Sequence, residues 1–242
     1  MVKASNATDL DNPRLSYAIL LYKEKETFIK LMNQLYSHPH SFEVRVVMDG
    51  DNPEILELLE TYQTTKDNFH YVRRPLNKNF SAQRNYIGSL CRGDYIVRID
   101  ADELMPDEIL LGINDYLKFF DKQGYDSIWL PRINYTGQAS EKLIKRHKMK
   151  IDERGWEGFP DFQLKLYRNF PYLTWINTVH ERLTGVKNEY YFPAEEKYAI
   201  WHNKPAESRA ASNEFYRTFR MRYFEKLRKS FEKRIKLLWN KN

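Results

Sequence analysis

The chain has a single cysteine, Cys91, in 242 residues. One thiol excludes an intramolecular disulfide framework and any cysteine-rich zinc module. Long apolar runs are missing too. The longest candidate, residues 17–22, falls far short of the ~20 residues that a membrane-spanning helix needs. Residues 1–13 are polar and carry no hydrophobic signal core, so the expected location is cytoplasmic. Glycine is scarce, at nine residues, and none lies in Leu20-Leu21-Tyr22-Lys23, which argues against a glycine-rich phosphate loop and the nucleotidyltransferases that use one. What remains is 42% hydrophobic and 30% charged, a composition that can bury a core without staples.

Charge is distributed unevenly. The net charge is +6, but residues 207–242 hold eleven Lys or Arg against four Glu, so the rest of the chain sums to −1. Residues 206–242 read as a basic amphipathic helical tail, with Phe224, Leu227, Phe231, Ile235 and Leu238 on one stripe. Such a tail suits nucleic acid or an anionic membrane surface, the latter making the protein peripheral to a membrane. A merely solvated helix face is the alternative.

Between Leu15 and Leu130 short apolar runs alternate with helical patterns. Strands are expected at residues 15–22, 42–48, 70–73 and 95–99. Between and after them, apolar residues recur at i, i+3, i+4 and i+7: Phe28, Leu31, Met32 and Leu35, then Ile55, Leu58, Leu59 and Tyr62. A helix is expected from Ser81, capped by its own hydroxyl, and another behind Pro106. This alternation predicts an α/β fold with a mostly parallel sheet flanked by helices. Ligands then bind beyond the carboxyl ends of the strands. The division expected is a flexible N-terminus (1–13), a ligand-binding α/β region (14–130), a less regular region (131–205) and the tail (206–242). In the third part, residues 163–167 and 172–182 are expected to pair as strands. The basic segment around Lys145, Arg146 and His147 reads as a mobile loop or short helix near a charged ligand.

Asp100 and Asp102 follow a strand directly, one residue apart. They repel unless a positive group joins them, and a divalent cation such as Mg²⁺ or Mn²⁺, bound through carboxylates and substrate phosphates, does so. An acidic turn ahead of a helix is the alternative. Asp49-Gly50-Asp51 closes the second strand, where a carboxylate can accept from a nucleotide base or ribose; a simple turn is again the other reading. Arg84 can reach a nucleotide or pair with an acidic cluster. His202, at the end of an apolar run, can offer nitrogen to a metal or sit as a satisfied core histidine.

Together, Asp49-Gly50-Asp51, Asn79-Phe-Ser-Ala-Gln-Arg-Asn85 and Gly93-Asp-Tyr-Ile-Val-Arg-Ile-Asp-Ala-Asp-Glu103 resemble the nucleotide-sugar domain of family 2 glycosyltransferases, over residues 15–130. Asp161–Arg168, Trp175–Glu181 and Trp201-His202-Asn203 resemble its bacterial and phage branches. The resemblance implies a Rossmann-like glycosyltransferase A fold, a nucleoside diphosphate sugar donor, Mn²⁺ or Mg²⁺, and inversion at the anomeric carbon. It implies a base-binding acid at Asp49, with Met48 where the family usually has a second acid, and with Asp51 and Tyr22 beside it. Asp100 faces ribose and metal by the same resemblance, and Asp102 is the direct metal ligand. An inverting transfer also needs a base for the acceptor hydroxyl. Glu181 is the first candidate and Asp161 the second, unless Glu181 is spent on Arg182 or Arg168. The acceptor expected is a glycan, a lipid-linked glycan or a modified DNA base. A non-catalytic sugar-nucleotide or glycan-binding module of the same fold is the alternative.

Overall fold

A computed structural model describes residues 14–136, 141–147 and 149–203. The expected flexible N-terminus and the basic tail lie outside the described residues. Among the described residues no helix is long and apolar enough to cross a membrane. The elements, in chain order, are β1 (Leu15–Leu21), α1 (Lys25–Ser37), β2 (Glu43–Met48), α2 (Pro53–Thr65), β3 (Phe69–Arg73), α3 (Phe80–Leu90), β4 (Tyr95–Asp100), β5 (Glu103–Leu104) and α4 (Asp107–Gln123). Then come β6 (Ser127–Leu130), β7 (Arg132–Tyr135), α5 (Glu141–His147), β8 (Trp156–Glu157), β9 (Gln163–Arg168), β10 (Thr174–Ile176), β11 (Arg182–Thr184), β12 (Glu189–Tyr191), a 3₁₀ turn (Glu196–Tyr198) and β13 (Ile200–Asn203).

Two compact units divide these residues. One joins residues 14–134 with Phe159–His202; the other contains Tyr135–Gly158 and Asn203. The segment 131–205 therefore contributes to both. Within the second unit, Asp152 accepts from the backbone N–H groups of Arg154 and Trp156, both at 3.0 Å. Arg154 covers the Trp156 ring at 3.6 Å. The basic segment takes the form of the short helix α5, on which Lys145 reaches Glu141 at 3.5 Å.

The first unit is built on a seven-stranded sheet in the order β12-β6-β9-β4-β1-β2-β3. Strands β1 to β4 are mutually parallel, as the alternation predicts. Their apolar runs are continuous because both faces are covered. Tyr17, Ile19, Val44, Val46, Val97 and Ile99 pack with Phe28, Leu31, Met32 and Leu35 of α1, with α2 and with α4. Each fully buried side chain of this kind contributes roughly 1.5–3 kcal/mol before chain entropy is counted. On the opposite face Ala18, Val47 and Ile96 meet Ile87 of α3, Trp175 and Leu183.

Two expectations are corrected. Residues 163–167 and 172–182 do not pair with each other: β9 inserts antiparallel between β4 and β6, while β10 pairs with β11. Alternation reports which faces are buried and leaves the partner open. Ser81 does not cap its helix either. Asn79 does, its Oδ1 accepting from Ala82 N at 3.0 Å and from the Ser81 hydroxyl at 2.9 Å. Helix α2 starts behind Asn52, with Pro53 at its first position.

His40 is buried beside Phe42, and its Nε2 accepts from the Tyr17 hydroxyl at 2.9 Å. Its Nδ1 has no partner among the described residues. Burial, with a smaller push from His38, takes its pKa down to about 4. The unfolded chain then binds the proton first as pH falls, so stability present above about pH 6.5 is lost on the way to pH 4. The loss expected is on the order of 3 kcal/mol. Urea midpoints measured across this window should fall in the native chain and flatten in His40→Phe; equal slopes would assign the loss elsewhere.

Candidate active site

The ends of β1, β2 and β4 align, since Leu21 stands opposite Met48 and Leu20 opposite Asp100. Tyr22 and Asp49 therefore leave the sheet side by side. Tyr22 is 57% exposed, and its ring lies about where a Cβ on Gly50 would make ordinary contact, at 3.5 Å. Gly50 has φ +102°, which a residue with a side chain adopts only with strain. Asp49 Oδ1 accepts from Leu76 N at 3.0 Å, and Asp51 is exposed. An open aromatic face next to carboxylates can accommodate a nucleotide base and its ribose hydroxyls.

Asp100, Arg84 and Glu181 converge from β4, α3 and the β10–β11 connection. Arg84 Nη2 donates to Asp100 Oδ1 at 2.9 Å, and Arg84 Nε donates to Glu181 Oε1 at 3.0 Å. Arg84 thus goes to the acidic cluster, and the partner of Glu181 is neither Arg168, which meets Asp121 at 2.7 Å, nor Arg182. Burial alone would raise the Asp100 carboxyl; Arg84, with Lys165 and Arg98 behind it, overrides burial and holds it well below the usual range. The hairpin that carries Glu181 is fastened to α3. Asn85 and Trp175 exchange two bonds of 2.8 Å, and Phe80 N donates to Thr178 O at 3.0 Å. Three residues of the Asn79–Asn85 segment therefore have structural tasks: Asn79 caps the helix, while Arg84 and Asn85 position the hairpin.

The second acid of the pair has a different neighbour. In β5, Glu103 stands opposite His202 of β13, which brings the ring to Asp102: His202 Nε2 lies 3.2 Å from Asp102 Oδ2. His202 Nδ1 lies 2.8 Å from Asn134 Oδ1, and Asn134 Nδ2 donates to Asp161 Oδ2 at 2.9 Å. The two ligand atoms of Asp102 and His202 suit Mg²⁺ or Mn²⁺, which binds through few protein groups and fills its shell with phosphate oxygens and water. Among the described residues no cluster of three or more metal-ligating side chains forms. Asp100, bonded to Arg84, leaves Asp102 as the acid of the pair that faces a histidine instead of an arginine.

Asp161, the second base candidate, is tied to its own chain. It accepts from Arg132 Nε and Nη2 at 3.0 and 2.7 Å, from Asn134, and from Gln163 Nε2 at 2.8 Å. Three of these bonds converge on Oδ2 and one reaches Oδ1. Burial opposes ionisation, yet Arg132 and these donors still hold its pKa below the usual range.

Sequence reasoning missed the charged layer beneath the site. Glu103 is buried and accepts from Asp100 N at 3.0 Å, from Arg132 Nη1 at 3.1 Å and from Lys165 Nζ. Burial would raise its pKa, but Lys165 and Arg132 bring it down to about 2. Lys165 was a findable signal: a lysine between Leu164 and Leu166 in a strand covered on both faces requires a buried carboxylate. Arg98 is the other omission. Its Nε has no partner among the described residues, its Nη2 is 3.4 Å from Gln163 Oε1, and its guanidinium lies 5.4 Å from the Trp175 ring.

The model of glycosyl transferase family 2 matches residues 16–185, well over half of the chain. An uncharacterized glycosyltransferase of Methanocaldococcus jannaschii, MJ1057, is 26% identical over 102 residues, which cover 40% of this chain and 34% of that protein. The chain thus spans about a third of the length of this curated relative. Staphylococcus aureus TarS is 18% identical with a TM-score of 0.46, over 64% of this chain and 28% of TarS. The mannosyltransferase PcManGT of Pyrobaculum calidifontis, solved with GDP-Man and Mn²⁺, is 15% identical with a TM-score of 0.43, over 58% of this chain and 48% of its own. From the extent of the family match, the chain belongs to glycosyl transferase family 2.

Proposed function

We propose that the chain transfers a sugar from a nucleoside diphosphate sugar to a hydroxyl acceptor, with inversion at the anomeric carbon and with Mn²⁺ or Mg²⁺ bound. The observation that carries this reading is the facing of Asp102 Oδ2 and His202 Nε2 at 3.2 Å, beside the Arg84-linked carboxylates Asp100 and Glu181. Tyr22, Asp49 and Asp51 bind the base and ribose, and Asp100, held by Arg84, faces the ribose. Asp102 and His202 hold the cation, which when bound neutralises charge on the leaving diphosphate. Glu181 takes the proton of the acceptor hydroxyl as its oxygen bonds to the anomeric carbon and the bond from that carbon to the diphosphate oxygen breaks. The acceptor is a glycan, a lipid-linked glycan or a modified DNA base, and the basic tail is the part that would bind nucleic acid or an anionic membrane.

A thermal-shift screen of nucleoside diphosphates tests the donor site. At 100 times its dissociation constant the correct nucleotide should stabilise the fold by ~2.7 kcal/mol, with a Mn²⁺-dependent part that disappears in Asp102→Ala. Equal shifts with and without Mn²⁺ would remove the cation. Slow, Mn²⁺-dependent hydrolysis of the matching sugar donor is expected alongside; binding with no turnover would make the chain a sugar-nucleotide-binding module.

A further inference from the structure

The bonds around Asn134 have one consistent assignment of protons. Asp161 is held ionised by Arg132 and accepts only. The Asn134 atom 2.9 Å from its Oδ2 is therefore the amide nitrogen, and the atom turned to His202 is the amide oxygen. An amide oxygen accepts only, so His202 Nδ1, 2.8 Å away, carries a hydrogen. In the neutral ring the lone pair is then on Nε2, directed at Asp102 Oδ2 across 3.2 Å. Two acceptors at that separation repel unless a metal ion, or a second ring proton on Nε2, joins them. A ring with the opposite tautomer would point its lone pair at the Asn134 oxygen and an N–H at Asp102, closing the gap with a hydrogen bond.

We infer that Asn134 is a positioning residue: clamped by Asp161, it fixes His202 as the Nδ1–H tautomer and presents the Nε2 lone pair to Asp102. The inference rests on the reading of Asp102 and His202 as the cation's holders, and it extends the site to Asn134, Asp161 and Arg132. All three lie in the same compact unit as His202. Arg132 gives the arrangement its rigidity, since one guanidinium grips Asp161 through Nε and Nη2 and Glu103 through Nη1. Outer partners of this type orient metal-binding imidazoles and make them more basic. They also explain a carboxylate spent entirely on bonds to its own chain.

The test is the ring nitrogen spectrum of ¹⁵N-histidine-labelled full-length protein without metal at mildly alkaline pH, with His202→Gln used to assign the signals. The expected wild-type result is a protonated Nδ1 and a bare Nε2 for His202. A protonated Nε2, with Nδ1 bare or protonated as well, overturns the inference, and this readout needs no variant of Asn134 to fold. In Asn134→Ala the tautomer preference should be lost, and Mn²⁺ affinity measured by calorimetry should fall roughly 10–100-fold. Retention of the wild-type tautomer in Asn134→Ala would also overturn it. Failure of the underlying cation reading looks different: Mn²⁺ binding indifferent to Asp102→Ala, with His202 still Nδ1–H, which supports Asn134 as the ring's holder while removing the metal.

Discussion

Lys165→Met should destabilise the fold by about 3–5 kcal/mol, the cost of leaving one member of a buried ion pair without its partner. Both side chains of the Lys165–Glu103 pair are fully buried. Burial pushes Lys165 down, to about 8, against the opposing pull of Glu103, so the amine is still charged at neutral pH. Methionine fills the volume and removes the charge, leaving Glu103 with Arg132 and the Asp100 N–H. Adding Glu103→Gln should recover part of the loss, because the neutral amide no longer needs the ammonium. Urea unfolding of both single variants and the double variant supplies the cycle. Additive effects would show that the pair contributes no coupling. The acid limb has the same origin. The folded pKa of Glu103 is about 2 against an ordinary value of 4.5, so its contribution is complete above the unfolded value and is lost as pH falls between them.

This layer also marks where sequence reading stops. The four parallel strands and the helices between them were legible because their apolar positions recur with period 3.6 or run unbroken where both faces are covered. Asp49, Asp100 and Asp102 were legible because strand ends in such a sheet are where ligands bind. Their partners were not, because they arrive from residues far along the chain: Glu181 is 97 residues from Arg84, and His202 is 100 residues from Asp102. The antiparallel insertion of β9 between β4 and β6 was equally hidden, although it brings Lys165 beneath the acidic pair and Asp161 beside Arg132. Residue type made both Glu181 and Asp161 candidates for proton transfer, with Glu181 first. Their bonds differ: Asp161 accepts four, engaging both its oxygens, while the bond from Arg84 engages one oxygen of Glu181.

Glu181→Gln should lower kcat by roughly 10²–10⁴-fold, the usual contribution of a positioned general base, with little change in nucleotide affinity. The amide keeps the shape of the carboxylate, and its oxygen can still accept from Arg84 Nε, so the hairpin stays fastened through Asn85, Trp175 and Thr178. Lost geometry therefore does not explain a loss of rate. Asp161→Asn supplies the contrast: a carboxylate bonded to Arg132, Asn134 and Gln163 affects stability and the His202 ring more than the pH dependence of turnover. Arg84→Lys should impair both carboxylates together, since one ammonium does not reproduce the fork that holds Asp100 and Glu181 at 2.9 and 3.0 Å. Turnover of Glu181→Gln within a few-fold of the native enzyme would move the base elsewhere. Retention at the anomeric carbon, read from the product by NMR, would remove proton transfer to Glu181 from the mechanism by a separate route, because an inverting displacement alone requires a base on the face opposite the leaving diphosphate.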